Sequence, residues 1–346
     1  MTGNGVALEI FQSLSDLVSL ENDWEELLER SSTNTIFQTW EWNRLWWKHF
    51  GRSCDLLLLT VRETGEKLLG IAPFFCTSDG NNQRTLQFVG GTDLSDYLDF
   101  IVARGSEASF YSAIVDFLGS NPDLWDVLDL HCLPAESPTL KIFRKLCNQK
   151  GFRETLTIED VCPRVELPSN WNEFLSGMSQ KERHEIRRKI KKIHRELEDY
   201  RYIAIDSASF PEGIQSFLEL HQKSDIQKMA FMNPERKRFF REMAWTLLQK
   251  GWLEILFLEA DHNRLASLLN FRYRDTVYVY NSGYDPKFGR WSPGWVLISH
   301  SIQDAIQGGL KVYDFMRGNE SYKYRFSAKD KEIYNHVVQR REEIPN

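Results

Sequence analysis

Three observations on the 346-residue chain predict an α/β fold of the α+β kind, built as two tandem domains. The first is length, since one hydrophobic core rarely serves a chain this long. The second is an order of hydrophobic periods that runs twice: strand, two helices, three or four strands, helix, strand. The third is a crossover between Val277 and Phe326, where strand, helix and strand follow within about forty residues and demand a parallel pair. Each domain is therefore expected to hold a mixed central sheet flanked by helices. The boundaries fall at residues 1–165, a bridging helical segment at 166–200 with a long basic helix, and 201–346.

In the N-terminal half, Ala7 to Gln12 reads as a strand, and Leu14 to Leu28 as a helix with Leu17, Leu20, Trp24, Leu27 and Leu28 on one face. Phe37 to Phe50, capped by Thr39, is a second helix dense in tryptophan, a stripe that serves either a core or sugar stacking. Asp55 to Arg62 and Lys67 to Cys76 flank the turn Glu63-Thr64-Gly65-Glu66 as a hairpin. Strands Arg84 to Val89 and Asp96 to Val102 follow, then a helix from Glu107 to Leu118 and a strand from Val127 to Leu133. Pro138 to Lys150 is a helix stopped by Gly151, and Phe152 to Leu167 is extended.

The bridging segment has a short helix at Trp171 to Leu175 and a long one capped by Ser179, with Glu182 three residues on as in a capping box. Ile186, Ile190, Ile193 and Leu197 form its apolar stripe. Lys181, Arg183, Arg187, Arg188, Lys189, Lys191, Lys192 and Arg195 cover the rest, as a solvated face or as an anion surface. The C-terminal half then repeats the first. A strand at Tyr202 to Asp206 leads to helices Pro211 to Gln227 and Pro234 to Lys250. Strands Leu253 to Glu259, Leu265 to Tyr273 and Thr276 to Tyr284 follow. Ser292-Pro293-Gly294 starts the crossover helix, with serine as N-cap and proline at the first helical position, and Gly308-Gly309 ends it. Lys311 to Phe315 is the parallel strand, and Glu332 to Arg340 closes the half as an antiparallel edge strand.

Composition narrows the function classes. Apolar residues make up 42% and aromatics 13%, a globular balance, and the net charge of −6 does not advertise nucleic acid over the whole surface. No apolar run reaches the ~18 residues of a membrane helix, and the N-terminus MTGNGVALEIF lacks the pattern of a secretion signal. Five scattered cysteines without a Cys-x-x-Cys, and eight histidines that never pair at ligand spacing, point to a cytoplasmic protein without a metal site.

A crossover places a helix N-terminus beside the carboxyl end of the first strand, where free amides and the helix dipole suit phosphate or carboxylate. Tyr284, Asp285, Arg290, Asp314, Arg317, Tyr322 and Lys323 cluster at that end, either as a site or as an ordinary polar rim.

These residues also carry a resemblance. SPG, an apolar helix closed by a glycine turn, and YDF-x-RG-x-x-x-YK are similar to the C-terminal half of double-domain GNAT-like acyltransferases of the CelD-type (cellulose biosynthesis) family, related to the Fem peptidyltransferases. FQTWEWNRLWW, SDYLDFIV, CPRVELP, KERHEIRRKIKKI and FLELHQK extend it over nearly the whole chain. The resemblance implies an acyl donor, acetyl-CoA or another acyl-CoA, bracketed by Val277 to Tyr284 and Gly289 to Val296, with Tyr280, Ser282, Arg290, Ser292, Gly294 and Arg317 as its contacts. One departure matters: Gly289-Arg290-Trp291-Ser292-Pro293-Gly294 replaces the glycine-rich pyrophosphate loop, and its proline removes an amide donor that Arg290 would offset.

No Cys-His or Ser-His arrangement lies close in sequence, so direct attack by an amine on the acyl carbonyl is the expected chemistry. Asp285 is the expected base, Lys323 or Arg317 the group that polarises the carbonyl or holds phosphate, and Tyr284 and Tyr322 the proton donors to a leaving thiolate. Asp96, Tyr97, Arg183 and His221 are expected on the acceptor side. Three functions fit: an N-acyltransferase acting on an amino sugar or polysaccharide precursor, a Fem-type transferase using charged tRNA or a nucleotide-sugar at the basic helix, and a binding module without catalysis.

Overall fold

The computed structural model describes residues 5–63 and 67–340, so Thr64, Gly65 and Glu66 of the expected hairpin turn lie outside the described residues. The chain divides into two compact units, Met1–Asp160 with Lys331–Asn346, and Val161–Asp330.

The first unit runs β1 (Val6–Phe11), α1 (Leu14–Ser19), α2 (Glu21–Arg30), α3 (Trp40–Phe50), β2 (Asp55–Glu63), β3 (Leu68–Ser78), β4 (Arg84–Phe88), β5 (Ile101–Val102), α4 (Glu107–Ser120), β6 (Val127–Pro134), α5 (Ile142–Lys150) and β7 (Arg153–Val161). The expected single helix at 14–28 breaks at Leu20, which ends α1 and starts α2. Thr39 caps α3 by accepting the Trp42 amide, and Trp24, Trp40 and Trp42 are core residues with satisfied indoles. Trp24 Nε1 donates to the Gln38 carbonyl, Trp40 to that of Leu17 and Trp42 to Ser95 Oγ. Buried rings with such anchors leave no sugar-stacking face on Trp24, Trp40 or Trp42. The expected strand 96–102 shrinks to Ile101–Val102. Before it, side chains replace the ladder: Asp99 Oδ1 accepts the Phe100 amide and the Thr139 hydroxyl, and Ser95 Oγ donates to the Gly90 carbonyl. Beyond it, α4 carries the chain across so that β4 and β6 pair in parallel at Thr85–Val127 and Leu86–Leu128.

The second unit runs β8 (Arg164–Glu166), α6 (Trp171–Gly177), α7 (Gln180–Glu196), β9 (Arg201–Ala204), α8 (Phe210–Ser224), α9 (Ile226–Phe231), α10 (Pro234–Gln249), β10 (Leu253–Ala260), β11 (Asn263–Tyr273), β12 (Thr276–Tyr284), α11 (Pro293–Gln307), β13 (Val312–Asp314) and α12 (Ser321–Tyr324). Its six described strands lie in the order β8-β13-β12-β11-β10-β9, all neighbours antiparallel except β12 and β13. The stripe Ile186–Ile193–Leu197 of α7 is buried in this unit's core with Val296, Ile302 and Leu268, so the basic helix is part of the second unit's packing. The helix expected over 211–227 stops at Ser224. Asp225 is extended there and accepts from the Gln227 and Lys228 amides, which starts α9.

The last strand, β14 (Glu332–Gln339), departs from the expectation of an edge strand in the second sheet. It returns to the first sheet, antiparallel to β6 and between β6 and β7, giving the order β1-β2-β3-β4-β6-β14-β7 with β5 on β3. Its pattern of Ile333, His336 and Val338 as buried positions suits an interior strand, and buried His336 finds Glu154 Oε2 on β7 at 2.7 Å. Hydrophobic alternation alone does not say which sheet a strand joins. Each of the two units is thus a mixed sheet flanked by helices.

Asp99 gives the first unit a testable pH dependence. Burial pushes its carboxyl up to about 7 against the hydrogen bonds from Ser137, Thr139 and the Phe100 amide. A folded pKa above the unfolded one means that the folded state binds the proton more tightly. Stability is therefore full below about pH 4 and falls as pH rises towards 7, by about 1.4 kcal/mol per unit for one proton. Urea titrations between pH 4 and 7 are expected to show this slope in the wild type and a flatter one in Asp99→Asn.

Candidate active site of the second unit

The parallel pair is short. Thr276, Val277 and Tyr278 of β12 align with Val312, Tyr313 and Asp314 of β13, where β13 ends, whereas β12 runs on to Tyr284. Residues 279–284 therefore pair with β11 on one side, and among the described residues no strand pairs with them on the other. A bulge deepens this break in register: Leu269 faces Asn281 and Asn270 faces Val279, which leaves Tyr280 unopposed.

What ends β13 is local chemistry. Asp314 Oδ1 accepts the Met316 amide at 2.7 Å, and Met316 (φ 61°) and Gly318 (φ 108°) bend the chain so that no further β12 pair forms, while Phe315 and Gly318 still donate to the Pro163 and Val161 carbonyls. The carbonyls of Met316, Arg317 and Gly318 then converge on Lys323 Nζ at 3.0, 2.9 and 2.9 Å, with Glu320 Oε2 at 2.8 Å. Lys323 is 2% exposed and its three N–H donors face four acceptors. It pins the turn, and no donor is left to polarise a substrate carbonyl as the sequence reading expected.

The other wall is the start of α11. Ser292 adopts a left-handed conformation (φ 53°), and its side chain makes no capping bond, contrary to the expected N-cap role. Its hydroxyl instead accepts from Lys189 Nζ of α7 at 2.7 Å, while Lys192 Nζ donates to the Arg290 carbonyl at 2.9 Å. The first intrahelical bond runs from the Val296 amide to the Ser292 carbonyl, so the Gly294 and Trp295 amides lie ahead of the ladder. Open space surrounds the position of a Gly294 Cβ. Lys189 and Arg325 both lie over the Trp295 ring, at 4.2 and 4.1 Å, and Trp295 Nε1 is buried without a partner. Desolvation, then the neighbouring Arg325 and Arg188, lowers the Lys189 pKa against the pull of Glu185. Free amides, crowded cations and an orphaned indole donor make this tip suited to a phosphate.

Helix α8 presses on the free-edge strand from the side. A Cβ on Gly283 would sit 2.3 Å from the His221 backbone nitrogen, so only glycine fits. His221 Nε2 meets Asn281 Oδ1 at 2.9 Å, and burial, with Lys228 nearby, pushes its pKa down to about 4. It is a neutral ring at pH 7, and its buried Nδ1 has no partner. From α9, Lys228 Nζ donates to the Ser282 carbonyl at 2.6 Å and lies 3.4 Å from Ser282 Oγ, so it reaches the free edge. Desolvation lowers its pKa, against the attraction of Asp225 and Glu320. Glu320 also pairs with Lys323, so its carboxylate links α9, which reaches the strand edge, to the turn after β13 electrostatically.

The remaining expected residues scatter. Asp285 is an N-cap, accepting the Lys287 amide at 3.0 Å, and lines a separate polar hollow of about 470 Å³ with Lys223, Glu219 and Arg264. It does not meet Lys323. Tyr284 is exposed at the strand end, and Tyr280 is packed between Phe240 and Phe271 at 5.7 and 4.6 Å. The Tyr322 ring packs edge-on to Phe315, and burial raises its phenol pKa, which makes it a reluctant acid. Arg290 lies over the Trp291 ring at 3.8 Å, and Arg317 is half-buried with its carbonyl on Lys323. Arg183 is half-buried on α7, while Asp96 and buried Tyr97 belong to the first unit. Sequence reasoning missed Lys228, Asn281, Trp295, Glu320 and Arg325. A lone lysine in the apolar segment IQKMAF was the one available signal. Among the described residues, no cluster of three or more His, Cys, Asp or Glu could hold a metal ion.

Comparison with known proteins fits this geometry. Residues 180–324 match the family model of the acetyltransferase (GNAT) domain. This stretch is therefore similar to that domain. It includes α7, so the helix over the α11 tip belongs to the matched domain. Over nearly its full length the chain is similar in fold to FemX (TM-score 0.65, 11% identity, 91% of this chain and 95% of that one). It also resembles a conserved protein of unknown function from Bacteroides thetaiotaomicron (TM-score 0.60, 11% identity, 96% and 100%). A third likeness is to the C-terminal domain of a putative lysylphosphatidylglycerol synthetase from Agrobacterium fabrum (TM-score 0.56, 11% identity, 94% and 92%). At such identities the likeness shows the fold. No curated protein matches the sequence.

The Lys323 pin yields a sharp expectation. Lys323→Ala removes the centre of a buried ionic knot and should cost about 3–5 kcal/mol in chemical denaturation. A variant with wild-type stability would show that the ammonium is not structural.

Proposed function

We propose that the second unit is an N-acyltransferase that moves an acyl group, acetyl in the simplest case, from acyl-CoA to an amine. The observation that carries this reading is the end of the β12–β13 pairing at Tyr278, beyond which β12 runs on without a described second strand, together with the α11 tip. An extended donor with two secondary amides can pair along residues 279–284, and its diphosphate can sit on the Gly294 and Trp295 amides near Lys189 and Arg325. The loop lacks the usual glycines, but a buried Trp295 N–H without a partner and open space at Gly294 support an anion there.

The chemistry is direct transfer. The amine nitrogen bonds to the thioester carbon, the C–S bond breaks, and the nitrogen gives one proton to water. Lys228 supplies the departing sulfur with a proton and is reprotonated from solvent. Its ammonium reaches the strand edge, where its charge also favours the developing oxyanion. Positioning by the strand and the helix tip supplies the larger share of the rate. An amino sugar or polysaccharide precursor is the acceptor the family resemblance suggests.

A second reading, aminoacyl transfer from charged tRNA, has one observation in its favour. Arg187, Arg188 and Lys191 of α7 point outward, where phosphate contacts would release counterions.

Thermal unfolding in the presence of coenzyme A, acetyl-CoA, charged tRNA and UDP-amino sugars separates these readings. Acetyl-CoA is expected to raise Tm saturably, and Lys189→Ala with Arg325→Ala to weaken its binding about tenfold, near 1.4 kcal/mol. Stabilisation by tRNA alone, lost at high salt, would move the assignment to the second reading. No effect from any donor would remove both.

A further inference from the structure

Strand β12 changes phase at its bulge. The Tyr280 ring stacks on Phe240 of α10, and the next residue, Asn281, meets His221 of α8. His221 and Phe240 both pack against the Phe231 ring, so Tyr280 and Asn281 face the same side of the sheet. A regular strand would send neighbouring side chains to opposite faces, and the unopposed Tyr280 is what re-aims Asn281. Gly283 then admits the α8 backbone, which brings His221 within reach of Asn281. His221 is 1% exposed, and its Nδ1 has no partner. The ring proton is assigned to Nε2, where it is donated to Asn281 Oδ1. On Nδ1 it would be a buried donor without an acceptor, the costlier arrangement. With Oδ1 turned to the histidine, the planar amide points its NH2 group away from α8. Asn281 is half-buried, and its Nδ2 has no protein partner among the described residues. Bulge, glycine and buried histidine together fix one side-chain donor, on the stretch of β12 that no second described strand covers.

We propose that Asn281 Nδ2 donates to the thioester carbonyl oxygen of the acyl donor, as a catalytic residue, and that His221 is the positioning residue that aims it. The proposal rests on the transferase reading. As the amine nitrogen bonds to the carbonyl carbon, the π electron pair moves to oxygen, and it returns when the C–S bond breaks. Asn281 keeps both its protons throughout and bonds the oxygen most strongly while that atom is negative. Lys228, held at the next residue's carbonyl, adds charge without having to make this bond. His221 takes no part as a base, because its only lone pair is buried and out of reach of substrate. Its neutral ring costs no charge burial and leaves the amide's orientation unchanged through the reaction.

The test uses the full chain and acetonyl-coenzyme A, a ketone analogue whose extra methylene between carbonyl and sulfur prevents transfer, labelled with carbon-13 at the ketone. A hydrogen bond to that oxygen moves the carbon resonance downfield. Wild type is expected to bind the analogue and shift the resonance downfield. Asn281→Ala should bind it within about threefold of wild type and lose the shift, since the bond is weak in the ground state and strong at the oxyanion. His221→Ala, which frees the amide to rotate, should lose at least half of the shift. His221→Gln, whose Nε2 can donate to Asn281 Oδ1 in the same way, should restore it. A histidine that served packing alone would change stability or affinity and leave the carbonyl resonance of the bound analogue where it was. A shift retained in Asn281→Ala would overturn the assignment and give the carbonyl to a backbone amide of the bulge. A shift lost in Asn281→Ala but untouched in His221→Ala would overturn the positioning role. Binding to wild type with an unmoved resonance removes the Asn281 donor and leaves the transferase reading standing. Absence of binding to wild type removes the transferase reading, and the donor assignment with it.

Discussion

The ammonium of Lys323 lies where three carbonyls of the turn after β13 converge, and much of the candidate site follows from that arrangement. A turn with Met316 and Gly318 in left-handed conformations is unfavourable on its own. Holding its carbonyls on one buried cation stabilises it, and beyond Asp314 the chain no longer pairs with β12. Strand β12 continues for six residues with no described strand paired on that side. The residue expected to act on the substrate thus acts on the backbone that shapes the opening.

The opening is bounded by groups that answer to one another electrostatically. Glu320 bonds Lys323 and also attracts Lys228, whose own ammonium spans to the Ser282 carbonyl. On the helix side, Lys189 ties α7 to Ser292 and shares the face of Trp295 with Arg325. Both clusters place cations near unsatisfied backbone groups, and both lower a lysine pKa by desolvation first.

Much of the fold was legible in the sequence because it rests on periodicity. The alternation at Thr276 to Tyr284 and the proline at the first turn of α11 each had one reading, and the doubled order of elements revealed two units. Long-range facts were not legible. Nothing in Glu332–Gln339 says that the strand crosses back to the first sheet, since an interior strand and an edge strand share the same alternation. The strand end and the helix start were legible in the sequence, whereas the partners of their side chains were not. Asp285 and Lys323 are polar residues near a strand end, but which of them caps a turn, pins a loop or faces solvent depends on partners distant in space. Lys228 could be noticed only as a charge in an apolar segment, and its reach to Ser282 spans 54 residues.

The account rests on the claim that the free edge of β12 and the tip of α11 hold the donor together. Amide hydrogen exchange with and without coenzyme A tests it most directly. Slowed exchange in residues 279–284 and 293–296, with the first unit unchanged, is the predicted result. Exchange that is unaltered in both segments, or protection confined to the first unit, would contradict it.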